Sequence, residues 1–540
     1  MILSWVIAAY AVAGSFMVFR YRLRHYLRYF QQEEYDGKRF LLWVGECNAF
    51  DKKTLVVALL AMALTSFVPY HLVITAIAAT MLAVTAFSGE DPTTSGKKTL
   101  IMTPRAIRIY RLSVVLYSTA IVVGATAALA LGRHGAFPVL WFLVLLLSQS
   151  VPLWLLLATK LLSPGEKRRQ RKYSLEAKRI LADVDPYVVG ITGSYGKTST
   201  KHILGEMLQT TLGTTFWPDK GVNTVMGITR EIREKLSPGT EYAVIEMGAY
   251  HQGSIQKLCD FTPPQAAIIT AVGICHLERF GSEEAIYRGK EELAKAVPDD
   301  GIIVCNGDDT GARNIAKGNP KMTTLLYGFD NSKEDLDCWM SSYAVVDSGM
   351  TFTIDWKGKE YQGSAPFFGT TALSNGMAAF AMACALGADA EFALGVLCSH
   401  EPVDNRLQVK KSGGVTYVND AYNSNPVGFA AALDVAKALP AKKRIIMTPG
   451  MIELGDRQEA ENNKAARKAG SFCDYAIVVG ETNRKSIAKG LRDGGMPEEN
   501  IFLCNSRDDA FHNLAIVADD GDAVLIENDL PDLYETKVRF

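Results

Sequence analysis

The fold class follows from one segment, residues 188–200, which reads Val188-Val189-Gly190-Ile191-Thr192-Gly193-Ser194-Tyr195-Gly196-Lys197-Thr198-Ser199-Thr200. It joins a β-rich run to a glycine-bearing turn and then to a helix predicted over residues 197–209. Backbone N–H groups in such a turn, together with the helix N-terminus, bind phosphate, so the segment predicts a P-loop. The strict G-x-x-x-x-G-K-[ST] pattern fails because Ile191 stands at the first glycine position, and the shorter T-G-S-x-G-K-T form remains.

The residues of this turn are therefore predicted to bind a nucleoside triphosphate. We expect Lys197 to reach the β- and γ-phosphates and the Thr198 hydroxyl to hold Mg²⁺. The predicted nucleotide-binding residues of the turn are Gly193, Ser194, Gly196, Lys197, Thr198 and Ser199.

From about residue 182 onward, short β-rich runs alternate with amphipathic segments, which is the pattern of doubly wound α/β domains with parallel sheets. Residues 338–366 depart from it and are predicted as a local antiparallel insert. A boundary predicted near residues 408–414 separates a central domain, 182–410, from a Rossmann-like C-terminal domain, 411–540. The predicted strands are 187–191, 243–247, 267–271, 302–305, 324–328, 415–419, 444–448, 475–479, 501–504 and 523–526.

Two polar residues close or follow predicted strands. Glu246 ends one strand-like run, and His276 comes shortly after another. The carboxyl ends of parallel strands meet at the ligand crevice, so we expect Glu246 to coordinate magnesium and His276 to contact a metal or a phosphate. Lys290 lies in a helix predicted over residues 282–296, and its residue type alone predicts an exposed surface lysine.

Most long apolar runs lie before residue 160. Residues 2–19 are uncharged, and positively charged residues, beginning with Arg20, follow this apolar stretch. A signal peptide carries its positive charges before the apolar core, so we predict a retained membrane span. The loops on both sides of residues 54–87 are basic, which favours the cytoplasmic side of the membrane for both loops. If both are cytoplasmic, the chain must cross the membrane an even number of times between them. The five predicted spans are 2–19, 54–70, 71–87, 112–132 and 137–159.

This count gives an all-α transmembrane domain, residues 1–165, with the N-terminus outside and the later domains in the cytoplasm at the inner membrane. A basic linker, 166–181, follows, and it is predicted either to contact anionic lipids or to be simply solvated.

Charge is balanced overall, 57 Lys+Arg against 58 Asp+Glu, so nucleic acid is not an expected partner. The nine cysteines are scattered and form no C-x-x-C pair, which suits a reducing compartment.

Several segments together resemble the Mur ligase family, most closely the branch that adds D-alanyl-D-alanine to a muramoyl tripeptide. The matching segments, in the family's order, are 190–201, 245–255 (IEMGAYHQGSI), 276–282 (HLERFGS), 405–407, 419–426 (NDAYNSNP) and 450–456 (GMIELGD). The resemblance implies that ATP phosphorylates an acceptor carboxylate to an acyl phosphate, which an incoming amine attacks to form an amide.

The resemblance also assigns roles that residue types alone do not. It implies two Mg²⁺ ions, one held by Thr198 and Glu246 and the other by His276 and Lys290. Lys290 would be carbamylated by CO₂, which turns its amine into a carboxylate ligand. Asn375 matches an asparagine that faces adenine, although the histidine usual just before it is missing. The implied catalytic residues are Lys197, His276 and Lys290, and the further ATP contacts are Arg406, Asp420 and Asn423.

Three departures from the family concern the substrates. The small soluble domain that grips the acceptor's UDP in relatives is replaced by membrane spans, so the acceptor is expected to be lipid-linked, to carry no nucleotide or to be gripped elsewhere. In place of the family's late Lys-Gly-Ser-Arg-Ser, residues 527–532 read Glu-Asn-Asp-Leu-Pro-Asp, which leaves the amine donor open. Arg279 stands where a glycine is usual.

Three functions follow from these observations. The first is a cell-wall-type ligase at the inner leaflet that joins D-alanyl-D-alanine, or a related amino acid or dipeptide, to a precursor carboxylate. The second is a poly-γ-glutamate-type or other peptide-tailoring ligase. The third is an ATP-driven transporter, against which stand the missing LSGGQ-like signature and the lack of buried charges in the predicted spans. Residues 192–198 and the HLERFGS segment favour the first.

Overall fold

The structure, a computed structural model, describes residues 2–47, 49–87, 91–93, 99–131, 133–219, 221–330, 332, 335–346, 348–402, 405–422 and 424–529. The predicted ATP contact Asn423 lies outside these ranges. The chain divides into two compact units, the first containing residues up to Arg169 and the second Gln170–Asp529.

The first unit is helical. Among the residues that the structure describes, two of its helices, α1 (Ile2–Gln32) and α5 (Pro104–Ala130), are long and apolar enough to cross a membrane; α6 (Arg133–Gln149) with α7 (Val151–Val184) makes a third if that pair, bent by 63°, is one span. The bend breaks the segment predicted as a single span at 137–159. Helices α3 and α4 have 16 and 17 residues, fewer than the roughly 20 that span a bilayer. The helices are α1 (Ile2–Gln32), α2 (Gly37–Glu46), α3 (Lys52–Phe67), α4 (His71–Phe87), α5 (Pro104–Ala130), α6 (Arg133–Gln149) and α7 (Val151–Val184), whose residues from Gln170 onward belong to the second unit.

Helix α1 continues past the predicted span 2–19 and buries a charge. Arg22 Nε donates to Asp51 Oδ2 at 2.6 Å, and the two side chains are 2% and 4% exposed. Asp51 also caps α3 by accepting from the backbone N–H of Thr54. The predicted span 2–19 itself contains no charged residue, and the buried ion pair lies in the part of α1 that continues beyond it.

Residues 166–181, predicted as a basic linker, are helical. Helix α7 runs without interruption from Val151 to Val184 and includes all of these residues. Lysine and arginine have good helix propensity, so a basic run can continue a helix as readily as it can end one.

The second unit begins with a nine-stranded sheet in the order β2-β3-β1-β4-β5-β6-β7-β8-β9. Pairing is parallel from β2 through β7, and β7, β8 and β9 form the predicted antiparallel insert. The strands are β1 (Tyr187–Thr192), β2 (Thr215–Phe216), β3 (Tyr242–Glu246), β4 (Ala266–Ile269), β5 (Ile302–Asn306), β6 (Thr323–Gly328), β7 (Cys338–Val346), β8 (Gly349–Trp356) and β9 (Lys359–Ala365).

Helices cover this sheet, and its central strands are buried along almost their whole length, as expected for a parallel sheet with layers on both faces. One apolar core contains residues of α8 and α14, and a second contains residues of α9 and α12. The helices are α8 (Lys197–Thr211), α9 (Val225–Lys235), α10 (Ser254–Cys259), α11 (Leu277–Phe280), α12 (Glu283–Ala296), α13 (Thr310–Lys317), α14 (Thr370–Ala385) and α15 (Ala390–Ser399).

A second sheet has six strands in the order β10-β11-β15-β12-β13-β14 and is parallel except for β10. The boundary was predicted near residues 408–414; residues 408–412 form β10, so the second sheet begins at Gln408. The strands are β10 (Gln408–Ser412), β11 (Val415–Asp420), β12 (Arg444–Thr448), β13 (Tyr475–Val479), β14 (Ile501–Cys504) and β15 (Ala523–Glu527). The helices are α16 (Pro426–Ala438), α17 (Gln458–Gly470), α18 (Arg484–Asp493) and α19 (Arg507–Val517).

Candidate active site

The glycine-bearing turn between β1 and α8 has the compact backbone that a phosphate loop needs. Gly196 has φ +83°, and a Cβ there would lie 2.3 Å from Asn375 Oδ1. A Cβ on Gly193 would lie 1.9 Å from Thr270 Oγ1. Lys197 Nζ turns back over the loop and donates to the Gly193 carbonyl at 2.6 Å. Only glycine fits at these two positions without displacing its neighbours.

Glu246 lies beside the start of α8, because β1 and β3 are parallel neighbours in which Ile191 pairs with Glu246. Thr198 Oγ1 donates to Glu246 Oε2 at 2.8 Å. Asn223 Nδ2 donates to the other carboxylate oxygen at 3.0 Å. Lys201 Nζ lies 3.8 Å from Glu246 Oε2, and both side chains are almost fully buried. The sheet therefore brings together the hydroxyl and the carboxylate that the sequence placed 48 residues apart.

The Thr198 and Glu246 oxygens fit one octahedral magnesium ion. Mg²⁺ binds oxygen at about 2.0–2.1 Å, so two neighbouring ligands of one ion lie about 3 Å apart, close to the observed 2.8 Å. Among the residues that the structure describes, no group of three or more His, Cys, Asp and Glu side chains could hold a metal ion. Further ligands at this place would therefore be water and phosphate oxygens, as is usual for Mg²⁺.

Lys290 is 3% exposed, so the prediction from its residue type alone is wrong. It lies on the buried face of α12 with Ile286 and Leu293. Burial, and then the nearby Lys197 charge, lower the pKa of its amine to about 7. A substantial share of the amine is therefore neutral near pH 7.

His276 is the N-cap residue just before helix α11 and has φ 58°, a left-handed conformation. Its Nδ1 forms a hydrogen bond with Glu453 Oε2, and its ring meets the Tyr250 ring edge-on at 5.1 Å. Burial lowers the His276 pKa although Glu453 opposes this, so we assign a neutral ring that donates from Nδ1. That tautomer leaves the Nε2 lone pair available to a metal ion.

A cavity of about 460 Å³ opens beside the phosphate loop, within the usual size range of small-molecule sites. Arg406 Nη2 donates to Thr198 Oγ1 at 3.2 Å, and the Leu407 backbone N–H donates to Asp420 Oδ1 at 3.0 Å. The residues predicted to contact nucleotide that line the cavity are Gly196, Ser199, Asn375, Arg406 and Asp420.

The described residues of the predicted site thus come together in one region. The Lys197 charge acts on the pKa of both His276 and Lys290, and the Glu246 charge acts on that of Lys197. Ser194, also predicted to bind nucleotide, donates its hydroxyl to the Gly273 carbonyl at 2.8 Å and so ties the phosphate loop to the segment before His276.

Sequence reasoning missed three residues of this region. Lys201 follows Lys197 by one helical turn, which places both lysines on the same side of α8. This spacing is the sequence signal that could have placed Lys201 at the site. Glu453 lies inside the GMIELGD segment, yet nothing local indicates its contact with a histidine 177 positions away. Asn223 precedes α9 in an irregular segment and gave no signal.

Two family matches correspond to the two sheets. Residues 191–383 match the Mur ligase middle domain, and residues 405–527 match the glutamate ligase domain of Mur ligases. Together these matches cover more than half of the chain, which therefore belongs to the Mur ligase family.

Several similar proteins share one name, UDP-N-acetylmuramoyl-tripeptide–D-alanyl-D-alanine ligase. The protein from Mycobacterium tuberculosis (strain CDC 1551 / Oshkosh) is 32% identical over 351 residues, which are 63% of this chain and 66% of the relative. The protein from Escherichia coli (strain K12) is 29% identical over 311 residues, which are 56% of this chain and 67% of the relative. The chain thus spans 66% of the length of the first relative and 59% of that from Mycobacterium bovis.

Among solved structures, the MurF ligase from Thermotoga maritima in complex with ADP superposes with a TM-score of 0.59 at 26% identity. The superposition covers 67% of this chain and 80% of that structure. The α/β fold of the second unit is therefore that of a Mur ligase.

Proposed function

We propose that the chain is an ATP-dependent carbon–nitrogen ligase that phosphorylates a carboxylate and then joins its acyl group to an amine. The observation that carries the proposal is the 2.8 Å contact between Thr198 Oγ1 and Glu246 Oε2, next to Lys197. A P-loop threonine and a strand-end carboxylate in contact are what a magnesium–triphosphate site requires. The name shared by the relatives supports a cell-wall precursor as acceptor and D-alanyl-D-alanine, or a related amine, as donor.

In this mechanism Lys197 binds the terminal phosphates of ATP. Burial lowers the pKa of its amine and the Glu246 charge raises it, so an anionic triphosphate would favour the ammonium form. Thr198 and Glu246 would hold one Mg²⁺, and His276 Nε2 with Lys290 would hold a second. Bound magnesium neutralises charge on the transferring phosphoryl group. The remaining loop residues supply backbone N–H groups to the phosphates.

Carbamylation of Lys290 is part of this proposal. A neutral lysine amine adds to CO₂, forms an N–C bond and releases a proton, which leaves a carbamate anion. Burial of Lys290 and a pKa of about 7 provide the neutral amine. Carbon-13 NMR after equilibration with labelled bicarbonate should show a carbamate resonance that is missing in Lys290→Arg. A wild-type spectrum identical to that of the variant would reject the modification.

Water exclusion is a second requirement, since an acyl phosphate hydrolyses readily. Arg406 and Asp420, from the C-terminal part of the second unit, line the same cavity as the phosphate loop. We infer that they contact ATP and close the crevice over it.

We also propose that the first unit is a membrane domain that holds the catalytic part at the cytoplasmic face of the inner membrane, where a lipid-linked acceptor and membrane lipids are within reach. Its apolar helices α1 and α5 support a membrane location. Large apolar side chains on the outside of this unit do so too, for example Ile2 at 82%, Phe67 at 88% and Val84 at 62% exposure.

The test is a mass-spectrometric screen for amide products. Purified full-length protein would receive ATP, Mg²⁺, amine donors including D-alanyl-D-alanine, and nucleotide- or lipid-linked acceptors. We expect an amide product with matching phosphate release, abolished by Lys197→Ala and retained by Lys317→Ala, which changes an exposed lysine of α13. ATP turnover by the wild type without a condensed product in any mixture would contradict the proposal.

A further inference from the structure

The His276 side chain, a proposed metal ligand, is held by a residue of the other family domain. His276 follows β4 in the middle domain, and Glu453 follows β12 in the glutamate ligase domain. Glu453 Oε2 accepts the hydrogen bond from His276 Nδ1, across 177 positions of the chain. A histidine that donates from Nδ1 to a carboxylate keeps its Nε2 lone pair for a metal ion. The tautomer of His276 therefore depends on contact between the two domains.

Arg279 fixes the same carboxylate at its other oxygen. Arg279 Nε and Nη2 donate to Glu453 Oε1 at 3.0 and 2.6 Å. The Arg279 guanidinium also lies 4.5 Å from the centroid of the Tyr250 ring, which meets the His276 ring edge-on. Both Glu453 oxygens thus have partners on the middle domain, so the carboxylate has little freedom to turn away from His276.

The backbone is left-handed at both ends of the His276–Glu453 hydrogen bond. His276 has φ 58° and Glu453 has φ 61°. Residues other than glycine adopt this conformation rarely, and it persists where the surrounding structure holds it, often at functional sites. The Glu278 backbone N–H donates to the Glu453 carbonyl at 3.4 Å, so the main chains of the two domains also meet here. Two such residues in contact across a domain junction are typical of a functional contact.

The segment that carries His276 is anchored to the phosphate loop as well. The Ser194 hydroxyl donates to the Gly273 carbonyl at 2.8 Å and accepts from the Gly273 backbone N–H at 2.9 Å. Ile274 packs against an apolar core formed mostly by the glutamate ligase domain. Residues 273–279 thus contact the phosphate loop and the glutamate ligase domain at the same time.

We propose that Glu453 is a positioning residue for the second metal site, because it sets the His276 tautomer while the two domains are in contact, and that Arg279 holds Glu453 in place. This inference rests on the proposed function, in which His276 Nε2 and Lys290 hold a second Mg²⁺. The site is then complete only when the domains meet, so metal binding and domain contact favour each other. Phosphoryl transfer is thereby tied to the closed crevice, where water is excluded from the acyl phosphate.

The junction offers a matched control that does not involve His276. Arg457 Nη2 lies 2.5 Å from Glu283 Oε1, and this ion pair also joins the two domains. Both side chains are more than half exposed. Arg457→Gln therefore removes a contact between the domains and leaves Glu453 and Arg279 in place.

The experiment is titration of the full-length protein with Mn²⁺ in the presence of ADP, with free Mn²⁺ measured from its EPR signal. We expect the wild type to bind two ions, of which His276→Ala removes the second and Glu246→Gln the first. In Glu453→Ala the affinity for the second ion should fall about 10- to 100-fold, the usual loss when the partner of a histidine ligand is removed. The first ion should bind as in the wild type, which shows that the variant is folded. Arg279→Ala should weaken the second ion in the same direction, and Arg457→Gln should change neither ion.

A second Mn²⁺ bound equally tightly by the wild type and Glu453→Ala would overturn the inference, and so would binding of a single ion by the wild type. Equal weakening of the second ion in Arg457→Gln, or equal weakening of both ions in Glu453→Ala and Arg279→Ala, would also overturn it. These results would show a general loosening of the junction.

Kinetics separate this inference from the proposed function. A lower kcat for amide formation in Glu453→Ala that high Mg²⁺ restores, with the KM for ATP within about twofold of the wild type, supports both. Second-ion binding that depends on Glu453, with no amide from any donor, rejects the ligase function and retains the positioning role. Amide formation that Glu453→Ala leaves unchanged at limiting Mg²⁺ retains the ligase and rejects the inference.

Discussion

Arg279 forms an ion pair with Glu453. Arg279 lies in helix α11, which follows strand β4 of the first sheet, and Glu453 follows strand β12 of the second sheet. Arg279 Nε and Nη2 both donate to Glu453 Oε1, at 3.0 and 2.6 Å. The other Glu453 oxygen bonds to His276 Nδ1, and the Arg279 guanidinium lies 4.5 Å from the Tyr250 ring centroid. Arg279, which stands where the family usually has glycine, thus links the two sheets next to His276, the proposed metal ligand.

This ion pair should couple the two α/β parts energetically. The side chains are 19% and 11% exposed, so screening by solvent is limited. In a double-mutant cycle of Arg279→Ala and Glu453→Gln, we expect a coupling energy of about 1–3 kcal/mol from thermal unfolding of the full chain. Additive effects of the two substitutions would show that the contact contributes nothing.

Glu246→Gln should damage the proposed magnesium site while preserving its shape. Loss of the carboxylate charge removes an Mg²⁺ ligand and the negative charge that lies 3.8 Å from the buried Lys201 ammonium. We expect kcat/KM for ATP to fall about 100-fold, equivalent to about 3 kcal/mol, with a raised Mg²⁺ requirement. Glu234→Gln, at an exposed position on α9, should leave both quantities unchanged. A similar loss in both variants would indicate a general structural effect.

Asp420 should make stability depend on pH. Its pKa in the folded state is about 6, above the ordinary 3.8, so its contribution to stability is full below about pH 3.8 and is lost as pH rises through about 6. Asp420→Asn removes this titration, so the Tm of the variant relative to the wild type should rise from pH 5 to pH 8.

The size of this effect follows from the shift in the Asp420 pKa. It corresponds to about 3 kcal/mol at most, or several degrees in Tm. Asp493→Asn, which changes an exposed residue of α18, serves as the control. A Tm difference for Asp420→Asn that stays constant across this pH range would contradict the assignment.

The five-span topology can be tested with reporter fusions. A reporter inserted after Gly135, between α5 and the rest of α6, should appear outside the cell, and one inserted after Val184 should appear in the cytoplasm. Helices α6 and α7 are bent by 63° relative to each other, so the two reporters decide whether this pair crosses the membrane as one span. A cytoplasmic reporter at both positions would show that α6 and α7 do not form a span.

Much of the fold could be predicted because apolar β-rich runs mark buried parallel strands. Strands β12, β13 and β14 begin and end where the sequence predicted. Strand β10 was missed because it is an edge strand whose residues, Gln408–Ser412, are polar and partly exposed. The bend between α6 and α7 was missed because composition is apolar on both sides of Ser150.

The candidate site was predictable where motifs and strand ends coincide, as they do for Thr198 and Glu246. The burial of Lys290 had a usable signal, since Ile286, Lys290 and Leu293 recur at helical spacing on one face of α12. The Arg279–Glu453 contact had none, because it joins residues 174 positions apart through the packing of two sheets.

The central claim is that phosphate passes from ATP to the acceptor's carboxylate before the amide forms. The most direct measurement uses an acceptor labelled with oxygen-18 in that carboxylate and detects the label in the released inorganic phosphate by phosphorus NMR. The account predicts one labelled oxygen per phosphate released with each amide bond. Amide formation that releases unlabelled phosphate, or that places the label in AMP, would contradict it.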